Sequence, residues 1–103
     1  MKLLTKEIKN KLPKLYETES VPLKEKEVIC KFFNPCGAET WYVIEGQQEE
    51  DDFIFWGLVD LHEQEFGYFS LNELESINLP FGLGIERDMH FEPNKAAQFW
   101  NKA

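Results

Sequence analysis

Basic residues are absent from the middle of this chain. Between Phe32 and Ile85 there is no Lys or Arg, against eleven Asp and Glu, and the formal net charge of the whole chain is −8. Only residues 1–31 are basic on balance, with eight Lys and five Glu. Because nucleic-acid backbones are bound through several Lys or Arg contacts, we expect no direct binding of nucleic acid. A partner with a basic surface fits this charge better, and the alternative is that the carboxylates serve solubility alone.

Long apolar runs and cysteine pairs are also lacking. No apolar run approaches the roughly 18 residues that span a bilayer. The first twelve residues, MKLLTKEIKNKL, mix Lys and Glu into their apolar pattern and lack the cleavage site of a signal peptide. We therefore expect a cytoplasmic protein without a membrane role. Cys30 and Cys36 have no second pair with which to form a zinc site, and in a reducing compartment we expect two ordinary thiols.

Catalytic motifs are few. No serine has the flanking glycines of a nucleophile elbow, and neither cysteine has a histidine nearby. One cluster remains, in a strand predicted over residues 86–91. The period of two in a strand puts three polar side chains on one face, where they could hold a divalent metal or act as acid and base, with His62 joining from another strand: Glu86, Asp88 and His90. The alternative is the solvent-facing side of an edge strand.

Aromatic residues are abundant, at 15% of the chain, and nine of them are Phe. This content and the length predict one globular domain over residues 1–103. Both faces of the stretch 53–61, FIFWGLVDL, are apolar, which predicts a strand that is covered on both sides. The sequence Ser70-Leu71-Asn72-Glu73 has the form of a capping box, so a helix should begin at Leu71 and run to about Ile77.

The remaining elements follow from turn and cap signals. Thr5 can cap a first helix that ends near Pro13, and Pro93 suits the first position of a last helix. The other predicted elements are strands 28–33 and 41–45 joined by a turn at 34–37, a charged loop at 47–52, and a turn at 63–65 before a short returning strand. The fold class is therefore α+β, with a mainly antiparallel sheet of four or five strands, an N-terminal helix, a short capped helix after the second hairpin, and a C-terminal helix.

Two groups of side chains are candidates for binding a partner. Large aromatic side chains can form a ligand pocket or a partner surface, although in a small domain most belong to the core; the candidates are Trp41, Tyr42, Trp56, Tyr68 and Phe69, and Trp41 and Trp56 are the two selected for partner binding. The second group is the run Glu49, Glu50, Asp51 and Asp52. Four consecutive acids do not match the alternating spacing of a calcium loop, so we predict a solvated turn with no metal, and we expect no cofactor.

Several phrases of the chain resemble those of a family of small bacterial proteins named domain of unknown function 2958. They are KLYETE (14–19), VICKFFNP (28–35), TWYV (40–43), FWGLVDLHEQEFGYFSLNELESI (55–77) and PFGLGIERDMHF (80–91). The likeness spans about residues 12–93. It implies an accessory protein encoded on a bacterial plasmid, conjugative element or phage, and it implies no activity and no catalytic residues.

The leading interpretation is a non-catalytic protein-interaction module. The base-free acidic span and the aromatic content favour it. One alternative is a metal-dependent enzyme that uses Glu86, Asp88 and His90. Another is a structural subunit whose exposed Trp and Phe side chains form a homodimer.

Overall fold

The computed structural model describes residues 2–102. Its main element is a five-stranded antiparallel sheet in the spatial order β5-β4-β3-β2-β6, with the bounds β2 (Cys30–Phe33), β3 (Thr40–Glu49), β4 (Asp52–Asp60), β5 (Gln64–Ser70) and β6 (Glu86–Arg87). A two-stranded sheet pairs β1 (Glu27–Val28) with β7 (Asn94–Lys95). The helices are short: α1 (Lys6–Lys11), α2 (Leu71–Glu75) and the 3₁₀ turns Leu23–Glu25, Pro80–Gly82 and Ala96–Gln98. The predicted α+β class with a mainly antiparallel sheet is confirmed.

Both helices begin at the predicted caps. The Thr5 hydroxyl accepts a hydrogen bond from the Ile8 amide at 3.2 Å, and the Ser70 hydroxyl accepts one from the Glu73 amide at 3.2 Å. Such bonds satisfy backbone donors that the first helical turn leaves unpaired. The Ser70 hydroxyl also donates to the Asp52 carboxylate. The second helix is shorter than predicted, because it ends at Glu75.

One face of the sheet carries the main core. Strands β2, β3 and β4 contribute its centre, and α1, α2 and the segment before α1 cover it; the buried members are Leu3, Leu4, Leu12, Cys30, Phe32, Trp41, Val43, Phe53, Phe55, Leu74 and Ile85. The Phe32 and Phe55 rings meet edge to face at 5.4 Å between centroids. Burial of this aromatic and aliphatic surface is the main stabilising contribution to the fold.

The opposite face of the sheet is covered more thinly. A smaller cluster is buried there, formed by Val28, Ile44 and Ala96. The segment around β7 lies across it, with Phe99 stacked on Tyr42 at 4.7 Å between ring centroids. The central strands are thus covered on both sides, as their apolar sequence predicts.

A β-bulge interrupts strand β3. Val43 pairs with Gly57 of β4 and Glu45 pairs with Trp56, so Ile44 is an extra residue with no partner in the register. Under strict alternation Glu45 would follow Trp41 and Val43 onto the main core. The bulge instead turns the Glu45 side chain to the second face, beside Trp56, because directly paired residues share a face.

Two predicted connections are wrong in their bounds. The predicted charged loop at 47–52 is a hairpin: β3 continues to Glu49 and β4 begins at Asp52. Only residues 50 and 51 form the turn, and Glu50 has φ 55°, as a two-residue hairpin requires. The predicted turn at 63–65 lies earlier, because Gln64 already pairs with Asp60 as the first residue of β5.

Three other predictions need correction. The predicted strand 86–91 pairs with β2 only over Glu86–Arg87, because the Asp88 carboxylate accepts from the His90 amide at 2.9 Å and forms a turn. The predicted strand 28–33 is divided between β1 and β2. The predicted C-terminal helix is a single 3₁₀ turn, and Pro93 does not begin it, since residues 94 and 95 pair with β1.

Cys30 and Cys36 are both free thiols, and they lie in different environments. Cys30 is buried, and burial raises the pKa of its thiol to about 12, against an ordinary value of 9.0, while the charge of Arg87 opposes the shift. Cys36 is exposed in the turn after β2. We expect a disulfide reagent at pH 8 to modify Cys36 quickly and Cys30 only on unfolding, because the thiolate is the reactive form and burial of Cys30 disfavours it.

The variant Cys36→Ser should lack the fast phase of that reaction, and equal rates for both thiols would contradict the structure.

The burial of Cys30 also makes the stability of the fold depend on pH. The pKa of Cys30 is raised in the folded state, so its contribution to stability is complete below about pH 9 and is lost as pH rises toward 12. Unfolding curves between these pH values measure the loss.

Candidate functional site

A pocket opens on the second face of the sheet, between strands β3 to β5 and the segment 16–26. Its volume is about 230 Å³, and its lining residues are Tyr16, Glu19, Leu23, Lys26, Glu45, Trp56 and Tyr68. Three of the seven are aromatic and three are charged. We call this concavity the aromatic pocket.

The floor of the aromatic pocket is a row of three side chains across three strands. Glu45 of β3 pairs with Trp56 of β4, and Trp56 pairs with Tyr68 of β5. Directly paired residues point to the same face, so these three side chains are neighbours. The bulge at Ile44 brings the carboxylate into this row.

The Glu45 carboxylate fixes the segment that forms the pocket wall. Glu45 is only 4% exposed. One carboxylate oxygen accepts from the Tyr16 amide at 2.9 Å, and the other accepts from the Thr18 amide at 3.2 Å and from the Thr18 hydroxyl. Hydrogen bonds to a carboxylate are stronger than neutral ones. A buried charge on the sheet therefore holds residues 16–18 in place.

Lys26 supplies the opposite charge. It is 5% exposed, and its ammonium donates to the Thr18 hydroxyl at 3.0 Å and to the Thr18 carbonyl. Thr18 thus links the two buried charges, which satisfies both in a site shielded from water. The same ammonium lies 5.4 Å from the centroid of the Trp56 ring, a cation–π distance. The Lys26 carbonyl accepts from the Ala96 amide at 2.8 Å, which connects the pocket to the C-terminal segment.

The pocket mouth carries two exposed tyrosines. Tyr16 is 64% exposed and Tyr68 is 54% exposed, and their ring centroids lie 6.3 Å apart. Hydrogen bonding with Tyr16, followed by desolvation and the charges of Tyr16, Glu45 and Glu19, raises the pKa of Tyr68 to about 12. The backbone of Tyr16 has φ 71°, in the left-handed region that a residue with a side chain rarely adopts.

These features suit binding of a cation. Aromatic faces attract cations, and a carboxylate at the rim adds to that attraction. The volume of about 230 Å³ is below the range of about 300 to 1,000 Å³ typical of pockets for whole small-molecule ligands. A single side chain of a partner is an occupant of suitable size.

The three residues of the predicted cluster near the C-terminus lie in different local environments. Glu86 pairs with Phe33 at the sheet edge, the Asp88 carboxylate lies 4.0 Å from the Lys31 ammonium, and His90 is exposed in the following turn. His62 is exposed after β4. Within residues 2–102, no group of three or more His, Cys, Asp and Glu side chains is arranged to hold a metal ion.

The predicted aromatic residues have different locations. Trp41 is 8% exposed and packs in the main core, which leaves little of its surface for a partner. Trp56 lines the aromatic pocket. Of these two tryptophans, only Trp56 borders a pocket, and its ring is in contact with Lys26 and Phe66 there.

The predicted acidic run divides into exposed and structural residues. Glu49, Glu50 and Asp51 are exposed at the hairpin. Asp52 is engaged instead, because its carboxylate accepts from the Ser70 hydroxyl, from the Asn72 amide at 3.0 Å and from the Phe53 amide at 2.7 Å. These bonds, with that to Ser70 first, lower the pKa of Asp52. Asp52 therefore attaches the hairpin to the start of α2.

Of the seven lining residues, the aromatic residue type predicts two, Trp56 and Tyr68, and the other five have no predicted binding role: Tyr16, Glu19, Leu23, Lys26 and Glu45. One signal for them was present. Glu45 follows the apolar stretch WYVI, and an acid next to a buried strand needs hydrogen-bond partners, which marks it for attention. Its partners lie 27 and 29 residues away in sequence, and no local pattern indicates them.

Family membership agrees with the resemblance of the sequence phrases. The family described as "Protein of unknown function (DUF2958)" matches residues 3–103. The chain belongs to this family. The match extends beyond the stretch 12–93, so α1 and the C-terminal segment are part of the shared domain. No curated protein and no solved structure is significantly similar to the chain. None of the helices within residues 2–102 has the length and apolar character needed to cross a bilayer.

Proposed function

We propose that this member of the family is a non-catalytic protein-interaction module that binds a basic surface of a partner. The observation that carries the proposal is the aromatic pocket, where exposed tyrosine rings stand beside the carboxylates of Glu19 and Glu45. Aromatic side chains are prominent among the residues that contribute most to interface affinity. The acidic charge of the chain favours association with basic partners over acidic ones.

The proposed setting is the cytoplasm of a bacterium, with the gene on a plasmid, conjugative element or phage. The family resemblance supports this setting. A small acidic protein in that position would act on a protein of the host or of the element. Sequencing of the genes that flank this one tests the setting, and a neighbourhood of ordinary chromosomal genes would contradict it.

The binding function is tested with peptides of equal length and different charge. We expect lysine- and arginine-rich peptides to bind the immobilised protein, and neutral or acidic peptides not to bind. Binding should weaken as salt is added, because screening acts on exposed charges. Binding that is independent of salt, or equal for acidic peptides, would contradict the proposal.

A pair of variants locates the interaction surface. Tyr68→Ser removes an exposed ring from the aromatic pocket. Phe81→Ser removes a ring that is 96% exposed on the 3₁₀ turn Pro80–Gly82, outside the pocket lining. We expect only the Tyr68 variant to lose affinity for the basic peptides. Equal losses in both variants would indicate general hydrophobic adhesion.

A further inference from the structure

We propose that the aromatic pocket takes one arginine side chain of the basic partner, with its guanidinium against the Tyr68 and Tyr16 rings and paired to Glu19. This inference rests on the proposed function and makes it more specific. It assigns a ligand class to a site formed by residues that are far apart in the sequence.

The size of the pocket favours a side chain over a whole ligand. The volume of about 230 Å³ is open to solvent, and Glu45 and Lys26 are the buried members of its lining. An extended chain that carries a planar head group can enter from the open side. The apolar stem would contact Leu23, which is partly exposed at the rim.

The charge of the lining favours a cation. The two buried charges are linked through Thr18, so neither is left uncompensated. Glu19 is exposed, and within residues 2–102 its carboxylate has no hydrogen bond or ion pair. The lining holds two carboxylates, those of Glu19 and Glu45, against the one ammonium of Lys26, so its net charge is negative. The pKa of Tyr68 is raised mainly by hydrogen bonding with Tyr16 and by desolvation, and the charges of Glu45 and Glu19 add to the shift. A positive ligand group compensates the negative charge of the lining.

The pocket already accommodates one cation of the chain itself. The Lys26 ammonium lies 5.4 Å from the Trp56 ring centroid, with Thr18 as its hydrogen-bond partner. The Trp56 ring is therefore in use, and the Phe66 ring stacks on it at 5.4 Å. The rings that remain open to a ligand are those of Tyr16 and Tyr68.

Arginine suits these open rings better than lysine. A guanidinium is planar, is more weakly hydrated than an ammonium, stacks on aromatic faces and forms two parallel hydrogen bonds with one carboxylate. A lysine ammonium binds as a point charge and loses more hydration.

The backbone of Tyr16 supports a binding role for this position. A left-handed conformation costs a residue with a side chain about 1 to 2 kcal/mol, and the bond from the Tyr16 amide to Glu45 holds Tyr16 in that conformation. Strained backbone that the surrounding structure maintains is concentrated at binding sites. The strain here presents the Tyr16 ring next to Tyr68.

The experiment uses single-residue probes with the unmodified protein. N-acetylarginine methylamide is titrated against the protein, and the readouts are the tryptophan fluorescence and the NMR signals of the pocket residues. The matched control is the citrulline analogue, which has nearly the same shape and no charge. We expect weak binding of the arginine probe, with Kd on the order of millimolar, and about tenfold weaker binding of the citrulline probe. The lysine analogue should bind more weakly than the arginine probe.

Matched variants then test the assigned contacts. Glu19→Gln should weaken the arginine probe about two- to fivefold, as expected for an exposed ion pair. Glu73→Gln makes the same change of charge on α2, outside the pocket lining, and should have no effect. Tyr68→Ser should reduce binding further than Glu19→Gln.

The outcomes separate the two proposals. If basic peptides bind but the arginine and citrulline probes do not differ, the arginine site is wrong and the interaction module stands. Equal binding of the lysine and arginine probes overturns the preference for a guanidinium. If no basic peptide binds, both proposals fail. These comparisons of peptides and probes use only the unmodified protein. They therefore decide between the two proposals even if a variant fails to fold.

Discussion

Replacement of Gly57 by alanine is expected to lower the free energy of unfolding by about 3 kcal/mol or more. A Cβ atom at this position would lie 1.9 Å from the carbonyl oxygen of Tyr42, and that oxygen belongs to the backbone of the neighbouring strand. Relief of this clash requires β3 and β4 to separate at the bulge, in the centre of the sheet. Chemical denaturation followed by circular dichroism measures the loss.

Gly67→Ala is the matched control for this variant. Gly67 pairs directly with Gly57 across β4 and β5, and a Cβ atom built on Gly67 meets no atom within 4 Å. Alanine should be neutral or slightly stabilising there, because it reduces the entropy of the unfolded chain. Similar losses in the two variants would contradict the close approach of β3 to Gly57.

Replacement of Glu45 by alanine is expected to lower the free energy of unfolding by about 3 to 5 kcal/mol, the range for leaving a buried charge uncompensated, because Glu45 is joined to the buried Lys26 through the Thr18 hydroxyl. The variant removes the acceptor for the Tyr16 amide, the Thr18 amide and the Thr18 hydroxyl. It also leaves the Lys26 ammonium buried without its compensating charge. The aromatic pocket should lose its wall in the same variant, so binding of basic peptides should fall as well.

Two comparisons identify the cause of that loss. Glu49→Ala removes an exposed acid from the same strand and should change the free energy of unfolding by about 0.5 kcal/mol or less. The double variant Glu45→Leu with Lys26→Met should cost less than the sum of the single variants, because it removes both charges together. Additive losses would show that the two residues do not form one network.

Local signals in the sequence account for much of the framework. The cap at Ser70 determines where α2 begins, since one hydroxyl and one amide three residues apart are sufficient for it. The apolar content of β4 predicts a strand covered on both faces. These elements depend on neighbours in sequence, which the pattern contains.

The failures have a common physical cause, which is competition from more distant contacts. Proline is common at the start of a helix, but no helix begins at Pro93, because residues 94 and 95 pair with β1. Alternation along residues 86–91 fails because the Asp88 side chain offers the backbone a turn instead. The bulge at Ile44 changes the face of Glu45, and periodicity alone has no means of locating one unpaired residue.

The same reasoning explains the candidate site. Trp56 was identified from its residue type, but its neighbours in the pocket lie on other strands or on segment 16–26. Lys26 sits in a polar stretch that is typical of a solvated loop, and only its contacts with Thr18 and Ala96 bury it. The charge of the run 49–52 indicates a solvated surface, but the carboxylate of Asp52 attaches α2 to the hairpin instead.

The small sheet of β1 and β7 has a consequence for the motions of the binding site. It consists of two residue pairs, and its attachment to the large sheet depends on the burial of Val28 and Ala96 against Ile44. Brief detachment of this ribbon, without loss of the large sheet, would release the carbonyl of Lys26 from Ala96 and loosen one side of the pocket. A side chain bound in the aromatic pocket would then slow the detachment of the ribbon. Occupancy of the pocket and the order of the C-terminal segment would therefore rise together.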